Sequence, residues 1–460
     1  MSFYLLDNHG ARTFAEKTES LSPVLETVPS IMDWIIRITI TICLLFIAYA
    51  SLMGDVFNPI YYALKSAEWS RIIVRPSLLW IIMGFLLLAF RTILWFFYRP
   101  FPSVGIDQAP FLTVIIPAYN EGAMVRKAVD SVVMATYPRD KLEIIVIDDG
   151  SKDDTWQYIR SAAAQYSGLV KAVRFSNNCG KRAALGEGFQ KARGEIVVTI
   201  DSDSVIERGT LLAIAGPFRN PKIGAVAGKV AVYNRYQGMI PRMLHVRFIL
   251  SFDFLRAVQS TYGTVYCCPG ALSAYRVSVI RDVLWEWMNQ SFLGKQCTYG
   301  EDRALTNLIL GRGFDAVYQR TAVVYTVVPW TYEKLYKMYL RWDRSYIRED
   351  ILFARIVWTR PLGARMIAVW DKVITNLRFP VGYASLVLLI IFTFNDPMTM
   401  LRLMFAMGLM SFFNMLYYLH SEHSWDFVYG ILYVYFSFFT LFWVFPYAAM
   451  TLRSRSWMTR

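Results

Sequence analysis

Between residues 110 and 329, short apolar runs alternate with stretches of helical periodicity. Residues 112–116, 142–147 and 196–200 are dominated by apolar and β-branched side chains, interrupted only by Thr113, Glu143 and Thr199, so they predict buried strands. Apolar positions at helical spacing fill 123–135, 156–166 and 183–192. Strands joined through helices of that length predict right-handed βαβ units and a parallel sheet. Residues 264–268 read as a further strand, and a helix is expected over about 304–310, opened by Gly300.

Longer apolar stretches flank this region. Residues 35–53 and 77–98 are each long enough to span a bilayer, and the second ends in the aromatic belt Trp95-Phe96-Phe97-Tyr98. From Tyr332, aromatic residues (Tyr336, Tyr339, Trp342, Tyr346) mix with Lys334, Lys337, Arg341, Arg344 and Arg348 at helical spacing. Such a face is expected to lie on a membrane surface. Three candidate spans follow at 365–394, 398–419 and 427–452, the last broken by Pro446. Three full crossings would carry the Arg-rich tail to the far side, against the positive-inside rule, so one segment is expected to be re-entrant or interfacial and the tail cytoplasmic. The expected organisation is a cytoplasmic tail 1–34, a transmembrane hairpin 35–98, an α/β domain 99–330, amphipathic interface helices 331–377, a C-terminal transmembrane region 378–452 and a tail 453–460.

Composition supports the membrane assignment. A chain that is 55% hydrophobic with 14 tryptophans and a mean hydropathy of +0.33 does not suit a wholly soluble enzyme. The net charge of +13 fits a cytoplasmic lysine and arginine excess and an anionic substrate. No basic block or nucleic-acid motif is present, so nucleic acid is not an expected partner. Cys43, Cys179, Cys267, Cys268 and Cys297 form neither a disulfide framework nor a metal-ligand spacing, which suits a reducing compartment. Arg91, Arg378 and Arg402 lie in or beside apolar spans, where a charge either snorkels to the interface or lines a path for a charged polymer.

The chemistry gathers at the strand ends. The first strand delivers Pro117-Ala-Tyr-Asn-Glu121, the second Asp148-Asp-Gly-Ser151 and the third Asp201-Ser-Asp203. In an open α/β sheet such clusters meet in one crevice. Two carboxylates in an Asp-x-Asp turn suit a hard divalent cation whose shell is completed by phosphate oxygens. Lys181 and Arg182 open a helix, where basic side chains and backbone N–H groups attract phosphate. Glu301 and Asp302 in Gly300-Glu-Asp-Arg303 open another, where a carboxylate serves equally well as a helix cap.

These motifs, in this order, resemble the family 2 inverting glycosyltransferases of GT-A (Rossmann-like) fold, and among them the membrane-embedded processive synthases, hyaluronan synthases foremost. The run from Asn289 to Asn307 is similar to that group over nearly its whole length, and Trp457-Met-Thr-Arg460 looks like its terminal gating motif with Met458 for glycine. Nodulation chitin-oligosaccharide synthases share the Cys267-Cys-Pro-Gly270 and Thr326-Val-Val-Pro329 stretches. The resemblance implies a cytoplasmic GT-A domain inserted between transmembrane helices, in a plasma (inner) membrane protein. It implies UDP-sugar donors, a growing β-linked polysaccharide as acceptor, and Mg²⁺ or Mn²⁺ on Asp203 with Asp201. Tyr119, Glu121 and Asp149 would hold the uridine, and Lys181 and Arg182 the diphosphate. Asp302, beside Glu301 and Arg303, would be the general base. Arg341 would meet the diphosphate, Trp342 would stack under the acceptor sugar, and Trp457, Thr459 and Arg460 would close over the donor. A monomer suffices for all of this. Met338 departs from the family's Gln-x-x-Arg-Trp motif, which points to altered acceptor handling. Hyaluronan-like synthesis from UDP-GlcNAc and UDP-GlcA leads. Chitin-like synthesis from UDP-GlcNAc alone, single-sugar transfer to a lipid phosphate, and a non-enzymatic nucleotide-sugar-binding protein remain as alternatives.

Overall fold

The computed structural model describes residues 76–395 and 398–454, with isolated positions between 31 and 49. The expected tail 1–34, the expected span 35–53 as a whole, and Trp457, Thr459 and Arg460 lie outside the described residues. Helix α1 (Pro76–Phe97) leads into the α/β domain. Strands β1 (Leu112–Ala118) and β2 (Leu142–Asp148) are buried along their whole lengths, as strands covered on both faces must be. Helices α2 (Met124–Val133) and α3 (Thr155–Gln165) make the crossovers to β2 and to β3 (Val170–Arg174). Helix α4 (Lys181–Lys191) then returns the chain to β4 (Ile196–Thr199), and β5 (Ser204–Ile206) follows the Asp-x-Asp turn.

Next come α5 (Thr210–Ala215), β6 (Ile223–Val232), α6 (Met239–Phe248), a π-helical turn over Ile249–Phe254, and α7 (Leu255–Ser260). Strand β7 (Ser273–Arg276), α8 (Val277–Met288) and the hairpin β8–β9 (Ser291–Phe292, Lys295–Gln296) precede α9 (Glu301–Gly311) and the long β10 (Asp315–Thr326).

The main sheet has the order β3-β2-β1-β4-β7-β6-β10-β5. Its first four strands are parallel, as the sequence predicts for β1, β2 and β4; β3, half-exposed at the sheet edge, is a strand that the apolar runs do not announce. The other half corrects the expectation of a parallel sheet: β7 runs antiparallel between β4 and β6, and β5 antiparallel to β10. Residues 264–268 are not a strand, since only Thr264 forms a bridge, to Ala316. The register matters for the site. Thr199 pairs with Ser273, so the loop entering β7 lies beside the loop leaving β4. Thr326 pairs with Ser204, which brings the end of β10 to the same edge.

The remaining helices are α10 (Tyr332–Ile356), α11 (Leu362–Asn395), α12 (Met398–Glu422), α13 (Phe427–Thr440) and α14 (Val444–Met450). Helix α10 does not present its aromatic and basic face outward. Leu335 and Met338 join the core of the α/β domain, and Leu340 is buried with Val444 and Ala448 of α14. Two of its arginines are buried too: Arg344 donates to Thr451 Oγ1 at 2.8 Å and Arg348 to the Tyr299 carbonyl at 2.6 Å. Helices α13 and α14 are bent by 51°. The break falls ahead of Pro446, which sits in the first turn of α14, where a proline is tolerated.

Among the described residues, Leu403–Glu422 is long and apolar enough to cross a membrane, and α13 with α14 passes the same test as a bent pair. Arg91 of α1 does not snorkel: it donates to Asp371 and Thr375 of α11, each at 2.8 Å. Asp253 in the π-helical turn is fully buried and accepts from Arg320 (2.8 Å) and Tyr318 (3.0 Å) of β10. Arg320 in turn donates to Tyr417 of α12 at 2.8 Å, which fastens the domain to the apolar helices.

Candidate active site

The loops at one sheet edge assemble a single cluster of charges. Lys181, the first residue of α4, forms an ion pair with Asp201 beyond β4 and lies 3.3 Å from Glu301 at the start of α9. Burial alone lowers the Lys181 pKa, but Asp201 and Glu301 overcome it and hold the ammonium charged above its ordinary range. The three side chains line one narrow crevice with Pro117, Gly270, Trp287 and Asp302. Gly270 faces this ion pair closely: a Cβ there would stand 2.7 Å from Lys181 Nζ and 3.3 Å from Asp201 Oδ1, so a larger residue would displace the lysine tip.

Glu301 and Asp302 are neighbours with different electrostatics. Burial raises the Glu301 pKa, yet Lys181, its own backbone N–H, Arg341 and Arg182 together hold the carboxyl below its ordinary value. Asp302 is shifted the other way. Burial and then the charge of Glu301 raise it, against Arg303 and Lys181. Two adjacent carboxylates with pKa values pushed apart mark an acid–base pair in which one member stays ionised and the other exchanges a proton. Asp302 accepts the Arg303 N–H at 2.8 Å and the Cys267 thiol at 3.3 Å. The turn that presents both requires Gly300, at φ +75°, whose Cβ would stand 2.1 Å from Ser345 Oγ of α10.

Asp203 lies at the end of β10, where its Oδ1 accepts from Ser204 Oγ and Thr326 Oγ1, each at 3.2 Å. Among the described residues, no group of three or more His, Cys, Asp or Glu side chains is arranged to hold a metal. Asp201 and Asp203 are hard oxygen donors in the one turn between β4 and β5, so they fit a cation that draws the rest of its shell from phosphate oxygens.

The loops after β1 and β2 are tied together, with Asn120 N–H donating to Ser151 Oγ at 3.0 Å and Glu121 N–H to Thr155 Oγ1 at 2.8 Å. Tyr119 and Glu121 are half-buried on the first loop. Buried Asp149 accepts the backbone N–H groups of Cys179 (2.7 Å) and Gly180 (2.9 Å), so it also braces the approach to Lys181. Burial raises its pKa above the ordinary carboxylate value, and those two donors oppose the shift.

Arg341 is close enough for its charge to act on Glu301. Trp342 packs edge-to-face with Phe252 (6.3 Å between centroids) and Tyr339 (5.7 Å) and at a tilt against Phe248 (6.0 Å). Arg303 lies over the Tyr346 ring, 5.4 Å from its centroid. Arg182 departs from the expected direction: it is buried, with its guanidinium on the Trp287 carbonyl and on Gln290 Oε1. At the end of the described chain, the Ser454 carbonyl accepts from the Tyr299 hydroxyl at 2.9 Å, two residues before Glu301. Cys267, Gly270 and Trp287 escaped sequence reasoning. Only the Cys267-Cys-Pro-Gly270 stretch carried a signal.

Residues 113–284 match the family model of glycosyl transferase family 2. An N-acetylglucosaminyltransferase of Azorhizobium caulinodans is 33% identical over 256 residues, covering 55% of this chain and 64% of the relative. This chain thus spans under two-thirds of that relative's length. A hyaluronan synthase of Streptococcus pyogenes is 32% identical over 297 residues, covering 63% of this chain and 69% of the relative. A mannosyltransferase of Pyrobaculum calidifontis, solved with GDP-Man and Mn²⁺, aligns over 71% of this chain and 97% of its own at 21% identity, with a TM-score of 0.46.

Proposed function

From the premise that this chain belongs to glycosyl transferase family 2 and is a hexosyltransferase, we propose that it is an inverting, processive synthase that extends a β-linked polysaccharide from UDP-sugars. The observation that carries this reading is the Lys181-centred crevice, which places a diphosphate-attracting pole beside a carboxylate of raised pKa. In the reaction, the acceptor hydroxyl oxygen attacks the anomeric carbon of the donor sugar. Its proton passes to Asp302 as the glycosidic bond forms and the bond from the anomeric carbon to the UDP oxygen breaks. Attack opposite the leaving group inverts the α-linked donor to a β-linked product. Asp203 and Asp201 would hold Mg²⁺ or Mn²⁺, which would neutralise charge on the leaving diphosphate. Lys181 supplies a fixed positive charge at the same place, with Arg341 nearby.

Tyr119, Glu121 and Asp149 form the uridine pole, on loops that precede the crevice. Trp342 is the platform for the acceptor sugar, held by Phe248 and Phe252. Met338 turns into the domain core with Leu335, where an apolar side chain stands at the motif's glutamine position. Trp342→Ala is expected to reduce elongation at least tenfold more than donor hydrolysis, because it removes acceptor positioning and leaves donor chemistry alone. Product sizing alongside UDP release checks this, and equal losses count against the platform.

The bilayer is the proposed site of the apolar helices, with the domain on the cytoplasmic side. Leu362, Met366, Trp370, Val373 and Leu377 form an exposed apolar stripe on α11, while Asp371 of the same helix is buried against Arg91. That ion pair also bears on the product. Hyaluronan carries a carboxylate on alternate sugars and gains from cations along its path. Arg91 already answers Asp371, which favours a neutral, chitin-like polymer as the second reading. Arg402's side chain lies outside the described residues. Both readings use UDP-GlcNAc, and the N-acetylglucosaminyltransferase relatives favour it as a donor. The deciding experiment supplies the purified protein with UDP-GlcNAc alone or with UDP-GlcA. Polymer only with both donors means hyaluronan-like synthesis; polymer from UDP-GlcNAc alone means chitin-like synthesis. UDP release without polymer, or none at all, defeats the synthase reading.

A further inference from the structure

Lys181 and Arg182 are consecutive on α4, and consecutive helical residues point about 100° apart. They therefore do different things. Lys181 enters the crevice. Arg182 turns inward, where its guanidinium donates to the Trp287 carbonyl at the end of α8 and to Gln290 Oε1 at 3.0 Å, and lies 5.1 Å from the centroid of the Trp287 ring.

Both of its partners lead to the Glu301–Asp302 turn. Trp287 is fully buried, and its indole N–H donates to the Glu301 carbonyl at 2.8 Å. Gln290 donates to Glu349 Oε1 at 2.9 Å, and Glu349 also accepts from Arg348 (2.9 Å) and from Asn307 of α9 (3.0 Å). Arg348 closes the circuit on the Tyr299 carbonyl at 2.6 Å. The turn carrying Asp302 is thus gripped on either side, at the carbonyls of Tyr299 and Glu301, by one buried polar network. Both terminal nitrogens of Arg182 are engaged and only its Nε is buried without a hydrogen-bond partner among the described residues; buried networks rigidify a site to the extent that their members are satisfied.

We propose that Arg182 is a positioning residue for Asp302, acting through Trp287 and Gln290, and not a ligand of the donor diphosphate. This rests on Asp302 being the base. A misplaced base costs turnover, since an error of about 1 Å in a reacting group is worth roughly 10²-fold, while a lost phosphate ligand costs donor affinity.

The test compares Arg182→Gln, Trp287→Phe, Lys181→Gln and Asp302→Asn in the full-length protein reconstituted in lipid. The readouts are kcat, KM for UDP-GlcNAc, Kd for UDP and the pH profile. Arg182→Gln and Trp287→Phe are expected to lower kcat roughly 10–100-fold with KM and Kd within about twofold, and to displace the acidic limb of the profile. Lys181→Gln is expected to raise KM and Kd. Trp287→Phe keeps a six-membered aromatic ring but loses the five-membered ring with its N–H at a buried site, so its thermal stability is read beside its kinetics, and it carries the test if Arg182→Gln fails to fold. A raised Kd for UDP with unchanged kcat in Arg182→Gln overturns the proposal, as does a wild-type kcat and pH profile in Trp287→Phe. If instead Asp302→Asn stays active, the base assignment itself has failed, whatever the other variants do.

Discussion

Asp302→Asn is expected to lower sugar transfer by roughly 10²–10⁴-fold while UDP still binds, because only the acceptance of the acceptor's proton is lost. Asparagine matches the side chain in size, so the turn beyond Gly300 keeps its shape. The carboxylate it replaces is unusual in its surroundings: half-buried, beside ionised Glu301, and raised in pKa by desolvation and by that charge. A raised pKa makes Asp302 a stronger base when ionised, at the cost of being protonated at mildly acid pH. The sign follows directly. Turnover in the wild type should climb as pH rises through that elevated pKa, and the limb should vanish from whatever activity Asp302→Asn retains. Steady-state rates across pH, with UDP titration on the same preparations, check both parts. Retained turnover above about a tenth of wild type would sink the assignment.

Legibility of the sequence varied with the kind of contact that fixes each element. Strands β1, β2 and β4 could be read because a strand buried on both faces is a plain apolar run. Strand β6 (IGAVAGKVAV) hides behind small residues, and β10 breaks its own pattern at Gln319-Arg320-Thr321, where the ladder to β6 shifts register. Residues 264–268 misled because apolarity reports burial and cannot separate a strand from a buried loop. The site shows the same division. Asp201, Asp203, Lys181 and Glu301 sit at element ends that the sequence announces. The inward turn of Arg182 depends on Trp287, 105 residues away, and no local pattern encodes that contact. Helix α10 is the sharpest case. Basic residues at helical spacing suit lipid headgroups and a buried network of carbonyls and carboxylates equally well, and here Tyr299, Thr451 and Glu349 take the second role.

Asp203→Asn should lower transfer by about 10²-fold or more and weaken donor binding, since a charge-neutralising cation at a transferring group is worth several kcal/mol. The carboxylate's place is fixed by hydroxyls on two sides, from Ser204 and from Thr326 at the end of β10. An amide fits there and can still accept those hydrogen bonds, so the fold should survive and the loss should be one of charge. Asp201 cannot compensate alone, because Lys181 already forms an ion pair with it. In the wild type, EDTA should therefore abolish transfer, and added Mg²⁺ or Mn²⁺ should restore it. Asp203→Asn should need far more of either ion for the activity it retains. Binding of UDP-GlcNAc, titrated with and without EDTA, separates this from a mere packing defect: a defect in packing would weaken binding equally in both conditions. Wild-type binding and turnover that ignore EDTA would mean that Lys181 and Arg341 carry the diphosphate alone, and that the two strand-end carboxylates serve only to orient Lys181.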